Sequence, residues 1–269
     1  MTTLTTPPAQ RSEVEGTYDV AGPPERPAIV FVHGTRLTGA MWAPQLADLG
    51  AEFRVVALDL PGHGRSAGTP FTLEGAADRL AAVIDEAGSG SAIVVGLSLG
   101  GYVAMTLAAR SPGRVRGLVL AGATAEPIGP WRMPYLALAT AMDRFDGRRL
   151  DALNRWFFQT RFRPSLAEPI VAGGFWSRAG AAALRSLANE RFAPRLAAYP
   201  GPVLILNGSL DVPFRLGASR FARAAEGHVR RVRLAGATHL ANLDRPEAFS
   251  EAVRRFARSL DEADRPDRD

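Results

Sequence analysis

The chain has 269 residues, of which 46% are apolar and 22% charged, and its formal net charge is +5. That length and balance suit one α/β domain with an insertion, and exclude a disordered or collagenous chain. There is no cysteine and all 32 basic residues are arginine, which excludes disulfide frameworks, thiolate metal sites, a thiol nucleophile, Schiff-base chemistry and a phosphate-loop lysine.

Residues 1–13 are rich in Thr and Pro and read as a loose tail, as do residues 261–269, where acids alternate with Arg and Pro. The N-terminus has neither a basic stretch nor an apolar stretch of the secretory kind, and no run approaches eighteen apolar residues. A cytoplasmic protein without a membrane partner is therefore expected. No block of like charge resembles a nucleic-acid arm, so no nucleic-acid partner is expected. Oligomeric state is not set by these features.

Between the tails, short apolar runs alternate with helical patterns. Strands are expected at residues 28–32, 53–58, 91–95, 115–120, 202–206 and 229–234. The first five are nearly continuous hydrophobics, as parallel strands covered on both faces require, whereas the last alternates and reads as an edge. Helical patterns occupy 73–87, 101–109, 214–226 and 246–260. The alternation predicts an α/β fold with a mainly parallel, doubly wound sheet, its core formed by residues 14–125 and 200–260.

The rhythm breaks over residues 126–199, which lack a strand-like run and read as a helical insertion. This stretch holds 11 of the 21 aromatic residues, and 11 Arg against 6 acids, so it carries the whole net charge.

Gly96-Leu97-Ser98-Leu99-Gly100 follows an apolar run and opens a helical one. A serine hydroxyl is a weak nucleophile that must be presented at a sharp strand-to-helix turn. The neighbours two before and two after then have no room for a β-carbon, and the helix N-terminus offers N–H donors to an oxyanion. Gly64-Arg65-Ser66-Ala67-Gly68 matches the same spacing, but Gly-Thr-Pro and no helix follow it, so Ser98 is the candidate nucleophile. Its base must be a histidine, since Lys and Cys are absent. Of four, His33, at the end of an apolar strand before Gly34, and His63, inside a tight turn, read as loop-ordering donors, and His228 as surface loop. His239, after the last strand, is the candidate. Asp211, just beyond the run at 202–206, is the candidate orienting acid, with Glu126 and Asp244 as rivals.

Four segments together resemble α/β-hydrolase-fold enzymes along nearly the whole chain, from about Tyr18 to Leu260: His33-Gly34, Asp59-Leu60-Pro61-Gly62-His63-Gly64-Arg65-Ser66, Gly96-Leu97-Ser98-Leu99-Gly100-Gly101, and Asn207-Gly208-Ser209-Leu210-Asp211 with Thr238-His239. The stretch from His239 to Phe249 is most similar to enol-lactonase-like and small carboxylesterase-like members. The resemblance implies Ser98 as nucleophile, His239 as base and Asp211 as orienting acid, in the chain order of that fold. It also implies the backbone N–H groups of Thr35 and Leu99 as oxyanion donors, and the insertion at 126–199 as a cap over the site. Thr35-Arg36-Leu37 departs from both the Gly-rich lipase loop and the Gly-Pro-Gly loop of carbon–carbon bond hydrolases, which argues against the latter class. A serine in the nucleophile's place argues against dehalogenase-like and epoxide-hydrolase-like chemistry.

The implied reaction is two-step acyl transfer on a small-molecule ester or lactone, with no metal and no organic cofactor. Candidate substrate contacts are Arg36 and Leu37 in the loop and Trp131, Tyr135, Trp156, Phe157, Phe175 and Trp176 in the insertion; single aromatics at helical spacing more often form the insertion's own core. Two other readings of the same frame are a cofactor-free perhydrolase or haloperoxidase-like enzyme and a ligand-binding scaffold with slow hydrolysis.

Overall fold

The computed structural model describes residues 16–87, 90–145 and 147–263. Residues 1–13 and most of the expected C-terminal tail lie outside them; residues 261–263 complete the last helix instead of beginning a tail.

The central strands are β2 (Ala28–Val32), β3 (Arg54–Leu58), β4 (Ala92–Leu97), β5 (Val115–Ala121), β6 (Val203–Gly208) and β7 (Val229–Leu234), joined by a further strand, β1 (Tyr18–Ala21). They form one sheet in the order β1-β3-β2-β4-β5-β6-β7, parallel except for β1, which runs antiparallel along β3. β7 is the edge that its alternation predicted.

The unbroken apolar runs have a simple cause. Successive side chains of a strand point to opposite faces, and both faces here are roofed by helices. Val30 and Val32 of β2, Leu118 and Leu120 of β5, and Val203 and Ile205 of β6 belong to one packed layer. Their neighbours Ile29, Phe31, Val119, Ala121, Leu204 and Leu206 belong to the other. α2 (Leu73–Ala87), α3 (Leu99–Arg110) and α9 (Val212–Ala224) cover the first face, and α1 (Ala43–Leu49) and α11 (Pro246–Ala263), with the short α10 (Ala241–Asp244) before it, cover the second.

Between β5 and β6 the described residues form α4 (Met133–Arg144), α5 (Gly147–Arg161), α6 (Pro164–Gly173), α7 (Ser177–Leu187) and α8 (Phe192–Ala197). α4 and α7 pack through Ala139, Met142, Ala181 and Leu184. The insertion is less separate than its expected limits of 126 and 199 imply. In α8 the Phe192 ring meets Tyr102 of α3 with centroids 4.4 Å apart, and Phe192, Leu196 and Tyr199 all belong to the core layer.

Among the described residues no helix is long and apolar enough to cross a membrane.

Candidate active site

Ser98 stands between β4 and α3 with φ 54° and ψ −117°, a left-handed conformation that a β-carbon resists. Two close approaches hold it there. A β-carbon on Gly96 would fall 2.3 Å from the Gly100 carbonyl oxygen, and one on Gly100 would fall 2.1 Å from that of Val32, so both flanking glycines are sterically required. The Ser98 N–H donates to the Ala121 carbonyl at 2.8 Å, fixing the turn to the end of β5. Ser98 itself is half-buried, so its hydroxyl remains reachable. Leu99 is the first residue of α3, and its N–H has no acceptor within the helix.

Asp211 and His239 come from the loops after β6 and β7. His239 Nδ1 donates to Asp211 Oδ2 at 2.8 Å. In the neutral imidazole that bond leaves the lone pair on Nε2, the arrangement a general base needs. Asp211 is buried and stands at the N-terminus of α9, while His239 is half-buried. The turn bearing Ser98 and this pair meet at one place: Ser98 is bonded to Ala121, and a β-carbon on the next residue, Gly122, would lie 2.8 Å from His239 Cε1 and 3.1 Å from Asp211 Oδ2.

Several supports of this cluster escape sequence reasoning. The Phe214 ring of α9 stacks on the His239 imidazole, with centroids 4.7 Å apart and planes at 24°. Asn207, at the end of β6, accepts from the Gly122 N–H through Oδ1 at 3.0 Å and donates through Nδ2 to Thr124 Oγ1 at 3.3 Å. Thr124 Oγ1 donates to the Phe214 carbonyl at 2.5 Å. One polar residue closing the apolar run at 202–206 was the only signal of this clamp in the sequence.

The rival acids have other work. Glu126 accepts from the N–H groups of Phe192 and Ala193 and caps α8. Asp244 accepts from the N–H and hydroxyl of Thr238, at 2.7 and 2.5 Å, and from Arg161 at 2.6 Å, so it anchors the residue next to His239.

The other histidines order loops. His33 Nδ1 donates to the Gly34 carbonyl at 2.8 Å, and its Nε2 accepts from the Leu60 N–H at 2.9 Å; burial holds its pKa below the usual histidine range. His63 Nδ1 donates to the Pro61 carbonyl, and burial, aided by nearby His33, lowers its pKa to about 3. His228 is exposed. Ser66, in the matching Gly-x-Ser-x-Gly stretch, is buried and donates to the Asp59 carbonyl. Asp59 in turn accepts from Gly39 N–H and from Arg65, bonds that outweigh its burial and lower its pKa.

Gly34 brings its loop against the nucleophile turn, since a β-carbon there would lie 3.1 Å from Leu97 Cδ2 and 3.7 Å from Ser98 Cβ. Thr35 follows it. The remaining candidates scatter. Leu37 is buried in the second core layer with Phe158 and Phe162. Arg36 turns away from solvent and donates to Asn154 Oδ1 at 2.9 Å, so the expectation of a substrate contact there is corrected to a contact with α5. Tyr135 donates to the Tyr102 hydroxyl at 2.9 Å, and Tyr102 donates to the Ala125 carbonyl, which ties α4 to α3; burial raises the pKa of both. Phe175 stacks on Phe158 as part of the insertion's own packing. The Trp176 indole donates to the Gly173 carbonyl. Trp131, Trp156 and Phe157 are 74%, 62% and 42% exposed.

Residues 29–252 match the model of the alpha/beta hydrolase family. The chain belongs to that family. It is 27% identical to 3-oxoadipate enol-lactonase 1 of Acinetobacter baylyi, over 91% of this chain and 93% of that one. It is 30% identical to a pimeloyl-[acyl-carrier protein] methyl ester esterase of Xanthomonas oryzae pv. oryzae, over 87% and 96%. Among solved structures, a thermophilic esterase from Thermogutta terrifontis superposes with a TM-score of 0.76 at 27% identity, over 90% of this chain and 93% of that one.

Proposed function

We propose that this alpha/beta hydrolase, an enzyme acting on ester bonds, cleaves a small or medium carboxylic ester or lactone by acyl transfer through Ser98, His239 and Asp211. The observation that carries the reading is the 2.8 Å bond from His239 to Asp211, beside the strained turn that presents Ser98. Relatives named for an enol lactone and for a methyl ester support a reaction centred on an acyl carbonyl.

In this mechanism His239 Nε2 takes the Ser98 proton as Oγ adds to the carbonyl carbon, and Asp211 stabilises the imidazolium that forms. The N–H groups of Leu99 and Thr35 receive the oxyanion; each such donor contributes about 3 kcal/mol to lowering the barrier. His239 then protonates the leaving oxygen, and water, deprotonated by the same imidazole, releases the acid and regenerates Ser98. In a lactone the leaving oxygen stays tethered to the acyl group, so one product forms. Helices α4 to α7 act as the cap that bounds the acyl pocket.

The test is a graded panel of p-nitrophenyl esters and lactones assayed with wild type and Ser98→Ala, together with fluorophosphonate labelling read by mass spectrometry. Turnover lost in a folded Ser98→Ala protein, and an adduct on Ser98 in wild type, are the expected results. Full activity in the variant sinks the proposal.

A further inference from the structure

We propose that Arg36 is a positioning residue: it braces the loop carrying Thr35 against the insertion, so that the seating of α5 and α7 sets the oxyanion site. This rests on the acyl-transfer reading above, in which the Thr35 N–H is a donor.

Residues 34–37 make a tight turn closed by the Leu37 N–H on the Gly34 carbonyl at 3.3 Å. Arg36 occupies its third position with φ 67°. A left-handed residue at that position of a β-turn is ordinarily glycine. An arginine there costs backbone strain, so its side chain or its placement must supply something a glycine does not.

Three parts of the insertion converge on it. The guanidinium donates to Asn154 of α5; burial lowers its pKa, and Asp151, one turn earlier, only partly offsets that. The Arg36 carbonyl accepts from the Trp176 N–H at 2.9 Å, just before α7. Within α7, Gly180 sits so close that a β-carbon on it would lie 2.7 Å from Arg36 Cγ and 3.3 Å from Thr35 Cγ2. Arg36 therefore holds α5, the start of α7 and the oxyanion loop together.

The same junction collects buried polar atoms without a partner: Thr35 Oγ1, Arg36 Nε, Asp151 Oδ1, Asn154 Nδ2 and Ser177 Oγ. Being buried, these atoms belong to the packed junction and not to the exposed surface. Being unpaired, they leave the contact from Arg36 to Asn154 as a main polar link in an otherwise unsatisfied seam.

Arg36→Gly tests the side chain alone, because glycine keeps the turn. Asn154→Ala tests the same link from the insertion side. Steady-state kinetics with p-nitrophenyl butyrate are compared with binding of n-butylboronic acid, which forms a tetrahedral oxyanion on serine, and with binding of butyrate. Expected in both variants is a fall in kcat of about 10- to 100-fold, less than full loss of one oxyanion donor. The boronate weakens by a similar factor, KM and butyrate affinity change little, and the double variant is no worse than Arg36→Gly. Wild-type kcat in either folded variant, or a loss lying wholly in KM, overturns the proposal; should Arg36→Gly not fold, Asn154→Ala decides alone. Ser98→Ala is assayed in parallel. Its retained turnover would overturn the acyl-transfer reading itself, whereas an inert Ser98→Ala beside unaffected brace variants overturns only the role of Arg36.

Discussion

Gly122 leaves the imidazole of His239 only the room that a missing side chain provides: a β-carbon there would lie 2.8 Å from both Cε1 and Nδ1. The residue also has φ 54° and donates its N–H to Asn207. Gly122→Ala is expected to displace the ring and to add backbone strain of about 1 kcal/mol or more. A displacement near 1 Å lowers kcat about a hundredfold. Kinetics alongside thermal unfolding check this, and a variant with native kcat would show that the imidazole does not depend on that space.

Asp211 and Phe214 grip the imidazole in different ways, one through Nδ1 and the other through the ring face. Asp211→Asn should cost at least about a hundredfold in kcat, because an amide donates as readily as it accepts and permits the wrong tautomer. Phe214→Ala removes a stack worth about 0.5–1.5 kcal/mol, so a loss of about three- to tenfold is expected. A pre-steady-state burst with p-nitrophenyl butyrate locates each loss in the acylation step, and equal effects of the two substitutions would contradict this division.

Asp244 links the loop bearing His239 to the insertion, since it holds Thr238 and meets Arg161 of α5. Its side chain is only 3% exposed. Asp244→Ala strands the Thr238 N–H and should destabilise the fold by about 1–3 kcal/mol. Denaturant unfolding measures that cost. Arg161→Ala, which removes a partner that is 45% exposed, should cost under about 1 kcal/mol.

His63 and His33 make acid sensitivity a property of the fold. Burial places the folded pKa of His63 at about 3, and His33 is also lowered; in the unfolded chain both titrate near 6.5. Below that pH the unfolded state binds protons that the folded state refuses. Stability is therefore complete above about pH 6.5 and falls as pH drops toward 3, by at most about 1.4 kcal/mol per unit for each such histidine. His63→Asn keeps a donor for the Pro61 carbonyl but does not titrate. Its unfolding free energy should fall less steeply than that of wild type between pH 6.5 and 4.5, and parallel slopes would contradict the assignment.

The parallel strands were legible because burial on both faces leaves few polar residues in the run. β1 was not: Tyr18-Asp19-Val20-Ala21 is short, partly exposed and held by backbone pairing with β3, which no local pattern records. Ser98 was legible because steric demand writes glycines at fixed spacing around it, and its decoy Ser66 was separable by the missing helix. Gly122, Asn207 and Phe214 act only through partners distant in the chain. Apart from the polar Asn207 that closes an apolar run, nothing within a few residues of them announces that role. In the insertion, helical spacing identified amphipathic helices without indicating which ring points inward. Phe158 and Phe162 are buried, whereas Trp131 and Trp156 point to water.

Ser98 lies at the end of β4, while Asp211 and His239 follow β6 and β7. In the proposed mechanism the chain thus divides its reactive groups between two halves, with α4 to α8 as the bridge. A cut in that bridge yields a fragment with an alcohol but no relay, and another with a relay but nothing to activate. Any hydrolysis recovered by mixing them would report that the sheet had re-formed across the seam between β5 and β6, making this fold a natural scaffold for a split-enzyme reporter.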